Sequence, residues 1–266
     1  MNYNFEKSLV IILLCFSVNV SAKNNIDVVT SISVSLMNMD LNLKENIPHS
    51  GGGTSTRDKK IKPQLQGTEI SVSMIDDKNY YGFSTQVMGQ TVADYTDNID
   101  GTITPSSEVN TRSTFNIFTG YSFVNNLSAY AGFTKGTSSY GDKINFEETG
   151  PFLGGRYGFR LSSSSSLTFD VSYSALNTKL VIKDDDYTNN NSEDGHDLST
   201  TSTAYSGALT WVKSLDRGRS FFVRLKLKEF TLKEKSIAVD RTAGGTGTAT
   251  VTGSQKLVGL NFGMAF

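Results

Sequence analysis

Cysteine, proline and long apolar runs are scarce in this chain, and these scarcities limit the classes of protein to which it can belong. The single cysteine stands at position 15, so the rest of the chain has neither a disulfide framework nor a thiolate metal site. The 4 prolines suit a sequence rich in strands. With 37% hydrophobic residues and a mean hydropathy of −0.25, the chain is too polar for a helical membrane protein. Its net charge of −1 gives no global attraction to nucleic acid.

The N-terminus has the pattern of an export signal. Lys7 precedes an apolar run from Ser8 to Val18, and Val20 and Ala22 occupy the small-residue positions of a signal-peptidase site. The run is too short for the roughly 20 residues of a membrane-spanning helix. We therefore predict a cleaved signal peptide over residues 1–22 and one domain over 23–266. A hydrophobic N-terminal anchor and a lipoprotein signal at Cys15 are the alternatives.

Alternating polar and apolar residues recur along the remaining chain and predict about ten strands. The pattern is clearest where Leu153, Tyr157 and Phe159 share one face while Arg156 and Arg160 share the other. The predicted strands lie near residues 26–36, 69–74, 81–87, 114–123, 127–133, 153–161, 167–174, 205–211, 221–228 and 256–266.

The connections alternate in length, and this decides the predicted fold class. Short turns are predicted at 76–79, 124–126, 162–166 and 214–218, and long polar loops near 44–66, 90–112, 136–146, 182–202 and 233–253. Short turns at one end and long loops at the other are typical of transmembrane barrels. We predict an all-β fold: a transmembrane antiparallel up-and-down β-barrel of about ten strands, with long extracellular loops and short periplasmic turns.

The last strand carries a more specific pattern. Val258, Leu260, Phe262, Met264 and Phe266 follow in phase to the terminal residue. This strand resembles the C-terminal signal of bacterial outer-membrane β-barrel proteins, and the whole pattern is similar to small barrels of the opacity-like superfamily. The resemblance implies the outer membrane of a Gram-negative bacterium, contact with its lipids and lipopolysaccharide, and recognition of Phe262, Met264 and Phe266 by the barrel-assembly machinery.

The other face of the strands is predicted to line the lumen. Its charged residues are Glu69, Arg156, Arg160, Asp170, Arg224 and Lys226, and its bulky residues are Tyr80, Phe118, Tyr130, Phe152 and Phe222. Ten strands enclose a narrow interior, so we expect a largely plugged lumen. Asp170 is expected to pair with Arg156 or Arg160 across their hairpin, because an unpaired buried charge is costly.

An acid-rich stretch is a candidate cation site. Asp184, Asp185 and Asp186 supply hard oxygen ligands of the kind that Ca²⁺ prefers, although their spacing does not match an EF-hand loop. A solvated surface loop is the simpler interpretation. The glycine-rich stretch near 51–62 lacks the Gly-Lys-Ser/Thr of a phosphate loop. Its lysines predict a mobile basic loop suited to lipopolysaccharide phosphates.

One tripeptide is a candidate for catalysis. Asp194-Gly195-His196 resembles the Asp-x-His pair of the omptin proteases, which are ten-stranded outer-membrane barrels. The resemblance implies that Asp194 and His196 activate water, with Asp97 or Asp100 as acidic partners. The flanking aromatic residues of that family are missing beside the two acids.

Four functions remain open from the sequence. The first is a non-enzymatic barrel that presents surface loops for adhesion, shielding, or interaction with lipopolysaccharide or an unidentified surface ligand. The second is a narrow porin-like channel for small solutes, the third is an omptin-like surface protease, and the fourth is a secreted soluble β-protein. No other nucleophile–base–acid set, zinc-ligand spacing or nucleotide motif occurs, so we expect no cofactor and no nucleic-acid partner.

Overall fold

A computed structural model describes residues 26–48, 54–99, 102–124, 126–141, 144–182, 196–240 and 246–266. They form one antiparallel sheet that closes on itself. The strands are β1 (Ile26–Pro48), β2 (Thr54–Ile61), β3 (Gln64–Asp76), β4 (Asn79–Ile99), β5 (Thr102–Val124), β6 (Leu127–Tyr140), β7 (Ile144–Ser162), β8 (Ser165–Ile182), β9 (His196–Ser214), β10 (Ser220–Asp240) and β11 (Thr246–Ala265). Within these residues, no helix is long and apolar enough to cross a bilayer.

The sheet is a ten-position barrel with up-and-down connectivity, which confirms the predicted fold class. Both β2 and β3 pair with β1 and β4, so together they fill one position in the wall. β11 closes the barrel against β1, with Val34 opposite Phe262. Thr30 and Phe266 exchange two backbone hydrogen bonds of 3.1 and 2.9 Å at this seam. Closure pairs the backbone groups that an open edge would expose to lipid.

Both described chain termini and the short turns lie at one end of the barrel, which we call the turn end. Asp77 adopts a left-handed backbone conformation in one of these turns (φ 53°), which aspartate tolerates better than most residues. A short 3-10 turn, Asp216–Gly218, makes the connection from β9 to β10. We call the opposite end of the barrel the far end.

The prediction of five long loops is wrong for most of their residues, because the strands continue into them. Strand pairing covers residues 44–48, 54–61, 64–66, 90–99, 102–112, 136–140, 144–146, 196–202, 233–240 and 246–253. On β4 and β5, for example, pairing continues as far as Ile99 and Thr102. The barrel wall is therefore much taller than the sequence indicates.

The physical reason is a change of phase in the apolar alternation. On β10 the outward-facing Leu225 and Leu227 are exposed and apolar, and the next outward residue is Glu229. The inward-facing residues change in the opposite sense, from Lys228 to the fully buried Phe230. The polar residues that suggest loops in the sequence therefore lie on the outer face of strands, in the part of each strand beyond the membrane.

We call the outward-facing apolar side chains of the turn end the apolar belt. Its members nearest the far end are Leu36, Val87, Phe115, Phe133, Leu153, Tyr173, Tyr205, Leu227 and Val258. On β5 the belt runs from Phe115 to Phe123, which matches the roughly 9–11 residues of a tilted membrane strand. The belt is the membrane-spanning part, and we call the rest of the barrel the far half.

The far half has its own apolar core, which lies inside the wall. This far core comprises Leu41, Leu43, Ile61, Leu65, Tyr140, Ile144, Phe146, Leu176, Leu180, Leu198, Phe230 and Leu232. Phe146 and Phe230, from strands that are not neighbours, meet edge to face with ring centroids 6.1 Å apart. Side chains therefore fill the lumen at this level. The filling is apolar, whereas the sequence predicts a plug of charged and aromatic residues.

Candidate functional site in the barrel lumen

A cavity of about 270 Å³ lies in the lumen on the turn-end side of the far core. Charged residues from several strands line it, together with four of the five aromatic residues that the sequence assigns to the lumen, namely Tyr80, Phe118, Tyr130 and Phe152. The charged lining residues are Glu69, Arg112, Arg156, Asp170, Arg224, Lys226 and Lys228. The cavity is the largest concentration of lumenal charge in the part of the chain that the structure describes.

Aromatic rings and glycines alternate in two rows along one side of the wall around this cavity. One row crosses β4 to β7 and comprises Tyr80, Gly120, Tyr130 and Gly154. The other comprises Gly82, Phe118, Gly132 and Phe152. Each ring lies over the glycine of the neighbouring strand, because only a residue without a side chain leaves room for it. The predicted lumenal aromatics are thus held flat against the wall.

Arg156 and Asp170 form the ion pair that the sequence predicts across the β7–β8 hairpin. The Arg156 Nε–H donates to Asp170 Oδ1 at 2.7 Å. The Arg156 side chain is half-exposed, so the pair reaches the open space of the lumen. Arg160 lies nearer the turn end and donates to the carbonyl oxygens of Ser162 and Ser163 instead.

Glu69 of β3 joins three strands. Its carboxylate accepts hydrogen bonds from Lys226 Nζ and, at 2.8 Å, from Asn261 Nδ2. Arg224 Nη1 lies 3.6 Å from the other carboxylate oxygen, and Arg224 Nε donates to Thr210 Oγ1 at 3.0 Å. One buried acid is therefore shared by two bases, which fixes β10 and β11 against β3.

A second acid, Glu148 of β7, has the same arrangement just beyond the belt. Arg112 Nη2 donates to Glu148 Oε1 at 2.6 Å, and Lys228 Nζ lies 3.4 Å from the same oxygen. Arg112 Nη1 also donates to Ser138 Oγ at 2.7 Å. Burial by itself raises the pKa of Glu148, but Arg112 and Lys228 outweigh burial and hold that pKa below its usual value.

Arg112 and Glu148 are not predicted from the sequence as lumenal residues, because both fall in or beside segments assigned to loops. The reversal of the apolar alternation beyond the belt is the pattern that would have placed them on the inner face. Glu148 follows Ile144 and Phe146 at alternate positions, and all three are buried on the inner face of β7. Counting alternate residues along β7 from Phe152 toward the far end also leads to Glu148.

The basic segment that the sequence predicts as a mobile loop is strand β2, so that prediction is wrong. Lys59 points inward and is buried, with its Nζ 3.4 Å from Glu45 Oε1. Lys60 and Lys62 stand on the outer face, and Lys62 lies 3.4 Å from Asp40. Burial of Lys59 is stabilised by its acidic partner.

The remaining candidate residues are separate from the lumen. Phe262, Met264 and Phe266 lie on β11 at the closing seam, and Phe262 and Phe266 are exposed in the belt. Their recognition by the assembly machinery stays a prediction. His196 is the first residue of β9, opposite Ile182, and Asp97 lies in β4 opposite Thr104. Residues outside the described ranges are Asp100, Asp184, Asp185, Asp186, Asp194 and the predicted signal peptide, 1–22. The described ranges contain no group of three potential metal ligands.

Comparisons with known proteins agree with the fold. No protein-family model matches the chain, and no curated protein matches its sequence. The outer-membrane protease OmpT from Escherichia coli has a similar structure, with a TM-score of 0.55 and 12% identity over 90% of this chain and 97% of that one. OprG from Pseudomonas aeruginosa gives a TM-score of 0.43 at 10% identity over 91% and 98% of the two chains. The beta domain of the Bordetella autotransporter BrkA gives 0.42 at 11% over 90% and 99%.

The likeness to OmpT concerns the fold alone. The closed ten-position barrel and its apolar belt make this chain an outer-membrane β-barrel protein. Its location is accordingly the outer membrane of a Gram-negative bacterium.

Proposed function

We propose that this barrel is a non-enzymatic surface protein whose far half is a rigid platform for binding at the cell surface. The observation that carries the proposal is the far half itself, where strands continue well beyond the belt around an apolar core. A polar outer face and a packed interior are what a protein needs to hold a fixed shape in water. The far half is therefore suited to adhesion, shielding or contact with lipopolysaccharide.

Lysines on the outer face favour phosphate-bearing partners near the membrane. Lys135 and Lys256 are the first outward residues beyond Phe133 and Val258 of the belt, and both are exposed. Lys256 lies 3.2 Å from Glu229, but exposed ion pairs of this kind contribute little and leave the lysine accessible. Positive charge at this level attracts the phosphates of lipopolysaccharide.

The β4–β5 hairpin offers the sharpest test of the platform. Asp94 and Ser107 are cross-strand partners, so deleting residues 95–106 and joining the two by a short glycine turn preserves the β4–β5 register, although it also removes the β4 residues that pair with β2. Bacteria displaying the intact or the shortened chain would be compared for adhesion to immobilised lipopolysaccharide, matrix proteins and plastic. We expect a loss of adhesion of about tenfold in at least one assay, with unchanged heat-modifiable migration of the folded barrel. Equal adhesion of both strains in every assay would contradict the proposal.

A narrow channel is the second candidate, and the lumenal cavity favours it. Arg156 and Arg224 line that cavity and would select small anionic solutes. The far core argues for the platform instead, because its rings meet within the lumen. Swelling of liposomes that contain the barrel, in solutions of small sugars and amino acids, would support the channel and argue against a closed lumen.

The non-enzymatic part of the proposal has its own test. His196 begins β9, and the omptin-like interpretation requires it for peptide cleavage. We expect no cleavage of basic and acidic model peptides by membranes that carry the wild-type chain. Cleavage that His196→Ala abolishes would make the chain a protease.

A further inference from the structure

The charges that face the lumen do not balance. Asp170 has one base, Arg156, whereas Glu69 is shared by Arg224 and Lys226, and Glu148 by Arg112 and Lys228. Five bases therefore meet three acids, which leaves two positive charges without a counter-charge in these clusters. All five bases line the same cavity.

This excess is costly because the cavity spans the boundary of the belt, with Arg156, Asp170 and Arg224 at the level of the belt and Arg112 and Lys228 just beyond it. Lipid around the wall lowers the effective dielectric constant, so an uncompensated charge costs more there than in water. Arg224, Lys226 and Lys228 also occupy alternate positions on one face of β10, which spaces their Cα atoms roughly 6.6 Å apart. Their mutual repulsion adds to the cost.

Aromatic faces offset part of that cost. Lys228 Nζ lies 4.3 Å from the centre of the Phe230 ring, and the Arg224 guanidinium lies 5.3 Å from that of Phe222. Such contacts offset less than the penalty of a buried unpaired charge, so part of the cost remains.

We propose that the cavity binds a small inorganic anion, of the size of chloride or phosphate, between Arg112, Lys226 and Lys228. The cavity of about 270 Å³ admits such an ion together with water. The far core closes the lumen above the site, so bulky organic anions are excluded from that side. The site belongs to the lumen and is independent of the surface platform.

Thermal unfolding in detergent, followed by circular dichroism, tests the site with defined salts. The full barrel would be titrated at constant ionic strength with sodium chloride, bromide or phosphate replacing sodium gluconate. A ligand that binds only the folded state raises the midpoint in a saturable manner. We expect a saturable rise of several degrees with the small anions and none with gluconate. A crystal grown in bromide should show an anomalous peak in the cavity.

The double variant Lys226→Met and Lys228→Met removes both excess charges and leaves one base for each acid. Because the costly charges are gone, this barrel should have a midpoint in gluconate at least as high as that of the wild type, and it should lose the response to small anions. Lys135→Met, on the outer face of β6, is the matched control and should keep the response. An equal response in the double variant, or no difference between chloride and gluconate in the wild type, would overturn the proposal.

Discussion

At the scale of single residues, adjacent positions on one strand have opposite environments. Glu147 is exposed on the outer face of β7, and Glu148 is fully buried against Arg112 and Lys228. The two residues are the same amino acid at adjacent positions, and their different exposure and partners follow from the side of the wall that each one faces. They therefore form a natural pair for testing the register.

Glu148→Leu should destabilise the barrel far more than Glu147→Leu. Removing the buried carboxylate leaves two bases without their acid, and breaking a buried ion pair costs about 3–5 kcal/mol. The exposed change should cost within about 0.5 kcal/mol. Urea unfolding in lipid vesicles measures both free energies of unfolding. Equal effects would contradict the buried ion pairs of Glu148, and a larger effect of Glu147→Leu would show that the inner and outer faces of β7 are reversed.

Acid should weaken the same cluster. The pKa of Glu148 in the folded barrel lies below its ordinary value of 4.5, because the two bases outweigh its burial. The cluster therefore contributes its full stability above that ordinary pKa and loses it as the pH falls through the folded pKa. Glu148→Gln should show a smaller loss of unfolding free energy between about pH 5 and pH 3 than the wild type. Parallel pH profiles for the two chains would count against the ion pairs.

Two adjacent glycines of β7 test the aromatic rows. A Cβ on Gly154 would stand 2.5 Å from Cζ of Tyr130, whereas a Cβ on the outward-facing Gly155 would meet its nearest atom at 3.7 Å. Gly154→Ala should therefore cost about 1–3 kcal/mol through overpacking, and Gly155→Ala should be neutral or stabilising. The same urea titration measures both variants, and a harmless Gly154→Ala would mean that the ring of Tyr130 is not held there.

At the scale of elements, each long strand has a membrane part and an aqueous part of opposite polarity. On β1 the outward residues change from Leu36 to Asn38 while the inward residues change from Ser35 to Met37. The outer face of each strand is therefore apolar where it contacts lipid and polar where it contacts water. The boundary occurs at a similar height on its neighbours, which makes the belt continuous.

Trp211 is the single tryptophan, so moving it along β9 tests where this boundary lies. It lies in the belt on the outer face of β9, and Thr203 lies on the same face beyond the belt. Lipids brominated in their acyl chains should quench Trp211 strongly. They should quench the double variant Trp211→Phe with Thr203→Trp only weakly. Equal quenching would mean that the membrane covers the far half.

Sequence reasoning found the strands of the belt because a strand between lipid and lumen alternates cleanly. The predicted strands end just before Asn38 and Glu229, because the outward-facing residues become polar there and the sequence resembles that of a loop. The alternation persists there with its phase reversed, and a pattern search tied to one phase ends at that point. The Arg156–Asp170 pair was predictable because its partners face each other across a short hairpin. The partners of Glu148 come from β5 and β10, and contacts between distant strands need the closed barrel.

At the scale of the whole molecule, the interior of the barrel has two levels from the turn end to the far end. Charged residues and the aromatic–glycine rows line one cavity, and the far core fills the interior beyond it. The wall continues around that core as a polar-faced body outside the membrane. Under the proposed platform function, the outer surface rather than the lumen is the part of the protein that meets its surroundings.

Single-channel current in planar bilayers tests the closed lumen most directly. The purified barrel, shown to be folded by its heat-modifiable migration, would be inserted into a bilayer in concentrated potassium chloride. We predict a silent baseline, because Phe146, Phe230 and their neighbours in the far core are buried and pack together inside the wall. Discrete, reproducible current steps from the wild-type barrel would contradict this account and make the protein a channel.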